Sequence, residues 1–144
     1  MRRLLLVAAF LIVLNTSGFG QGVKNQNSSC PSFPCIVASV SLTNQTGAFS
    51  DVTIYTPPAD GFFRVAYYEL VAPGPGEGWS FTWKWTDDFQ EEIFGPFQLR
   101  PGNYFNAGIQ GMHVRAGHAI TYSVSPSNGV GEVYSLYATV EQLQ

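Results

Sequence analysis

The chain has 144 residues, of which 45% are hydrophobic and 15% aromatic, with only 12% charged and a formal net charge of -3 at pH 7. So many rings with so little charge exclude an intrinsically disordered chain. The acidic balance excludes nucleic acid and anionic lipid as partners held by charge.

At the start, Met1-Arg2-Arg3 is a short basic stretch, Leu4 to Leu14 is unbroken apolar sequence, and Asn15 to Gly20 are small or polar apart from Phe19. This order predicts a secretory signal peptide over residues 1–20, cleaved near Gly20. Eleven apolar residues fall short of the ~20 that span a bilayer, so no membrane insertion is expected after cleavage. The expected location is outside the cell, at its surface or in a periplasm. Cleavage removes Arg2 and Arg3 and no acid, leaving five basic against ten acidic residues. The remaining length suits one domain with its own core.

Residues 21–35 read as a mobile lead-in, because Gln21 to Ser29 show no periodicity. It ends in Cys30-Pro31-Ser32-Phe33-Pro34-Cys35, which holds both cysteines of the chain. In an exported protein this short, proline-bearing loop predicts a Cys30–Cys35 disulfide. Closing so small a loop stabilises by about 2 kcal/mol, enough to pin the start of the first strand. The spacing is not Cys-x-x-Cys, which argues against a redox-active pair.

Residues 36–144 alternate apolar and polar positions with period two between clusters of Gly, Pro, Asn and Asp. Eight strands are predicted, over 36–43, 49–56, 62–71, 79–86, 92–98, 106–115, 119–125 and 132–142, with no segment at helical spacing. The expected fold is an all-β, eight-stranded antiparallel sandwich of the jelly-roll type. The fourth segment, Trp79-Ser80-Phe81-Thr82-Trp83-Lys84-Trp85-Thr86, alternates without a fault. Phe81, Trp83 and Trp85 are assigned to the core, and Ser80, Thr82 and Lys84 to solvent. The other inward sets are Val52 with Ile54; Phe63, Val65 and Tyr67; Ile120, Tyr122 and Val124; and Tyr134, Leu136 and Val140. Val37, Val40 and Leu42 break the alternation and predict a bulge. Gly108 and Gly111 interrupt the sixth strand, as a bulge or the close approach of another chain's backbone does.

Residues 49–68, with Phe49–Thr56 running into Pro57-Pro58-Ala59-Asp60-Gly61-Phe62-Phe63, together with Val114–Tyr122 and Tyr134–Glu141, resemble a class of small bacterial and phage β-sandwich proteins. That class is similar in strand pattern to complement-type and tumour-necrosis-factor-like jelly-roll heads. The resemblance implies a jelly roll that trimerises and displays a binding surface, and it transfers no functional residue.

Catalytic and metal chemistry have thin support. Cys30 and Cys35 with His113 and His118 make two close ligand pairs of the kind tetrahedral zinc uses, but an oxidising compartment removes the thiolates. Asp87, Asp88, Glu91 and Glu92 put four of ten acids within six residues. Such a run serves as weak calcium candidates, as a carboxylate pair for a glycosidase, or as a solvated connection. Gly-x-Ser-x-Gly, phosphate-loop and His-Glu-x-x-His motifs are absent from the sequence, so no catalytic residue and no cofactor is assigned.

Nineteen rings remain after residue 20. Most must be core, and a surplus on a sheet face suits sugar rings or another subunit. Tyr68, Trp79, Tyr104, Phe105 and Tyr137 lie outside the selected inward sets and are the candidate ligand or subunit contacts. The expected function is that of a secreted structural or binding module without catalysis, working by self-assembly, as a trimer, or by adhesion. A carbohydrate-binding module and a small extracellular hydrolase are the alternatives.

Overall fold

The computed structural model describes residues 22–25, 30, 32–73, 78–100, 104–127 and 132–144. The predicted signal peptide lies outside them. Among these residues nine strands run in order: β1 (Gly22–Asn25), β2 (Cys35–Gln45), β3 (Phe49–Tyr55), β4 (Gly61–Val71), β5 (Trp79–Thr86), β6 (Glu91–Leu99), β7 (Phe105–Val114), β8 (Ile120–Pro126) and β9 (Tyr134–Gln142). No helix among the described residues is long and apolar enough to cross a membrane.

The strands form two sheets with the orders β1-β2-β9-β4-β7 and β3-β8-β5-β6. Every pairing is antiparallel. Apart from β1, each sheet holds four strands, and the chain passes back and forth between sheets, which is the jelly-roll path expected from the sequence. β1 is a difference. Four residues of the lead-in pair with the edge of β2, Gly22 opposite Ser41 and Asn25 opposite Ala38. Backbone N–H and C=O groups on a free edge recruit a strand whatever its side chains, so period-two reading does not detect it.

One core lies between the sheets, and it holds the predicted inward residues from β2, β4, β5, β8 and β9. Trp83 is 1% exposed, with its ring centroid 5.9 Å from those of Tyr67 and Tyr122. The irregularity in β2 is a register shift between Ile36 and Ala38. On the outer side of β5, Lys84 is half-buried and pairs with Asp51 at 2.8 Å. Ser80 departs from expectation: it is buried, its hydroxyl 3.5 Å from that of Ser127, because the chain leaving β8 covers this end of β5.

The two glycines of β7 are not bulges. β4 and β7 pair without a register shift from Gly61–Val114 to Leu70–Phe105. A Cβ on Gly108 would lie 2.6 Å from the Tyr67 hydroxyl oxygen, so the glycine makes room for a side chain of its own chain. Gly111 has open space in front of it. A bulge does lie in β6, where Gly95 has φ +111° and a Cβ would meet the Phe81 carbonyl oxygen at 2.7 Å.

Candidate functional site

The outer face of the five-stranded sheet follows from strand parity and register. On β4, Phe63, Val65, Tyr67, Glu69 and Val71 point into the core, so Phe62, Arg64, Ala66, Tyr68 and Leu70 point outward. The register sets Tyr68 between Tyr137 of β9 and Ala107 of β7, and Tyr137 beside Ser41 of β2. The next outward row is Ser39, Thr139, Ala66 and Ile109.

Three of the five predicted contact residues meet here. The Tyr68 ring centroid lies 6.2 Å from that of Phe105 and 6.5 Å from that of Tyr137, with interplanar angles of 22° and 38°. Tyr68 is 42% exposed, Phe105 59% and Tyr137 39%. The Tyr137 hydroxyl shares a 3.4 Å hydrogen bond with that of Thr43. Beside this ridge is an open groove of about 590 Å³, lined by Ser39, Ser41, Ala66, Ala107, Ile109 and Thr139 together with the tyrosines. Its volume is in the range of small-molecule sites, about 300–1,000 Å³. Among the described residues, none that lines it is charged. One row further along, Arg64 and Glu141 neutralise each other, with Nε to Oε2 at 2.7 Å and Nη2 to Oε2 at 2.6 Å.

The other two predicted contacts are elsewhere. Trp79 is 2% exposed and belongs to the core: its indole N–H donates to the Glu132 carbonyl oxygen, and its ring lies 4.6 Å from that of Tyr134. The pleat places it on the same face as Phe81, Trp83 and Trp85, which is why it cannot be a surface ring. Tyr104 is half-buried just before β7, and its carbonyl oxygen accepts from the Val71 N–H at 2.8 Å.

The acidic run forms the β5–β6 turn and the start of β6. The Asp87 carboxylate accepts the backbone N–H groups of Phe89 and Gln90 at 2.8 and 3.0 Å, bonds that hold it below its ordinary pKa. Asp88 lies 3.4 Å from His113, and Glu92 accepts from Gln90. Asp87, Asp88 and Glu92 are therefore engaged by neighbouring groups, and among the described residues no three His, Cys, Asp or Glu side chains gather as a metal site does. Cys30 and Cys35 are joined to each other, with 5.9 Å between Cα atoms, so neither supplies a thiolate to the His113–His118 pair.

Beneath the ridge lies a buried carboxyl that is not among the sequence-predicted site residues. Glu69 is fully buried, accepting from the Trp83 indole at 3.3 Å and from the Asn106 amide at 2.9 Å. Burial pushes its carboxyl up to about 7, although both hydrogen bonds pull it down. Its signal was available: Glu69 continues the inward parity of Phe63, Val65 and Tyr67. Ile109 and the small residues of the groove had no such signal, because cross-strand register alone places them beside Tyr68.

No protein-family model matches the chain, and no curated protein matches it. Among solved structures it is similar to the CBM22-1 xylan-binding domain from Paenibacillus barcinonensis Xyn10C, with a TM-score of 0.40 and 14% identity, over 85% of this chain and 83% of that one.

Proposed function

We propose that the protein is a secreted, non-catalytic binding module whose ligand is a carbohydrate held on the outer face of the five-stranded sheet. The observation that carries this reading is the exposed ridge of Tyr137, Tyr68 and Phe105 beside an uncharged groove edged by the hydroxyls of Ser39, Ser41, Thr139 and Tyr137. A pyranose ring presents an apolar C–H face that stacks on aromatic rings and an equatorial rim of hydroxyls that bond to hydroxyls, and this face offers both. The disulfide suits an oxidising location outside the cytosol.

Calorimetric titration of the mature protein against a panel of soluble polysaccharides tests the reading. Binding should appear for at least one glycan, and Tyr68→Ala should weaken it by about fivefold or more, since a lost ring stack is worth about 1 kcal/mol or more. The same variant should melt within a few degrees of the wild type, because Tyr68 is outside the core. Absence of binding to every glycan, or unchanged binding by Tyr68→Ala, would remove the reading.

Self-association is the second reading, favoured by the edge position of β7 and by Ile109, which is 67% exposed on the same face of that strand as Phe105. Light scattering separates the two: a trimer dissociated by Ile109→Lys supports assembly, and a monomer that binds glycan supports the module.

A further inference from the structure

We infer that the groove takes an uncharged polysaccharide along an internal stretch of its chain, laid across the strands from β2 to β7. This rests on the carbohydrate reading above and adds to it the direction, the charge class and the mode of entry of the ligand.

Direction follows from the register. Ser41, Tyr137, Tyr68 and Ala107 are cross-strand neighbours, and so are Ser39, Thr139, Ala66 and Ile109, so both rows run across the sheet. The ring ridge crosses with them, one ring from each of β9, β4 and β7. The floor beside it is small because Ser39, Ala66, Ala107 and Thr139 present at most two heavy atoms beyond Cβ. Four strands spaced about 4.8 Å apart carry this path over about 14 Å, which matches about three pyranose rings end to end.

Charge class follows from the lining. A chain carrying uronate groups needs cations, and the described lining of the groove from β2 to β7 has none; Arg64, one row along, is already engaged by Glu141, and Lys24 stands outside that path on β1, opposite Ser39 in the register. The mature chain is also net acidic, so a polyanion is repelled over longer range. Mode of entry follows from the shape. The groove is open along the sheet face, and binding there requires no free chain end, unlike a closed pocket that seats one terminal sugar.

The test uses mature protein and oligomers of two to six residues from neutral β-1,4-glucan and β-1,4-xylan, with oligogalacturonates as acidic counterparts. Affinity for the neutral oligomers should rise about tenfold or more from two to four residues and then level off. Blocking both chain ends should leave it unchanged, oligogalacturonates should bind at least about tenfold more weakly, and Tyr68→Ala should weaken binding by about fivefold or more. Thr139→Lys places a cation on the floor and should shift preference toward oligogalacturonates; Ser39→Lys, on the neighbouring strand, should do the same. If Tyr68→Ala still weakens binding but acidic oligomers win in the wild type, or end-blocking removes affinity, the inference falls while the carbohydrate reading stands. If no oligomer or polysaccharide binds, or Tyr68→Ala binds normally, the carbohydrate reading falls with it.

Discussion

Glu69 makes stability depend on pH in a direction opposite to that of most acids. Its folded pKa of about 7 stands above the ordinary 4.5, with burial as the main cause. The native state therefore binds more protons than the unfolded chain between those values, and stability must fall as pH rises through that window. At 1.36 kcal/mol per unit, the gap of about 2.5 units corresponds to about 3 kcal/mol, fully present below pH 4.5 and lost above about 7. That is a large share of a domain stability of about 5–15 kcal/mol. The three ion pairs among the described residues do not involve Glu69, so no cation offsets the cost of charging it. Urea unfolding with the disulfide intact, at intervals from pH 4.5 to 8.5, should be run on wild type and Glu69→Gln. The stability difference between them should move by up to about 3 kcal/mol in favour of the variant as pH rises, with unchanged m-values. Trp83→Phe, which removes one of the two hydrogen bonds to the carboxylate, should steepen the wild-type slope. A pH-independent difference, or one that moves toward the wild type, would refute the argument and mean that the carboxylate is solvated or paired with a cation.

Truncating Trp83 to Ala should cost about 3–5 kcal/mol by chemical denaturation, since the change empties a core position and takes a donor from Glu69. Gly108→Ala should destabilise the fold through contact with the Tyr67 hydroxyl and the ring carbon that bears it, 2.6 and 2.9 Å from the added Cβ, and the double change Tyr67→Phe with Gly108→Ala should recover part of the loss; additive penalties would place the strain elsewhere. Thiol titration of denatured, unreduced protein should find no free sulfhydryl, because the only two cysteines are bonded to each other.

The strands and their faces were legible in the sequence because side-chain direction in a strand is a local property of period two. Phe81, Trp83 and Trp85 lie in the core for this reason. The same parity covers Trp79 and Glu69, so treating Trp79 as a surface ring went against a rule that the chain itself states. The bulge in β6 and the pairing of β1 had no comparable local signature, since backbone groups and an open edge produce them.

What tertiary structure alone decided is which outward residues stand together. Tyr68 and Tyr137 are far apart in sequence and meet because β9 lies between β2 and β4, while Phe105 and Ile109 arrive on β7 at the far side of β4. Alternation tells each strand which residues to bury but carries no information about its neighbour or its register. Those are set by the crossings between sheets and by the filling of one shared core, in which Gly108 yields space to Tyr67 and Trp83 reaches Glu69 from the opposite sheet.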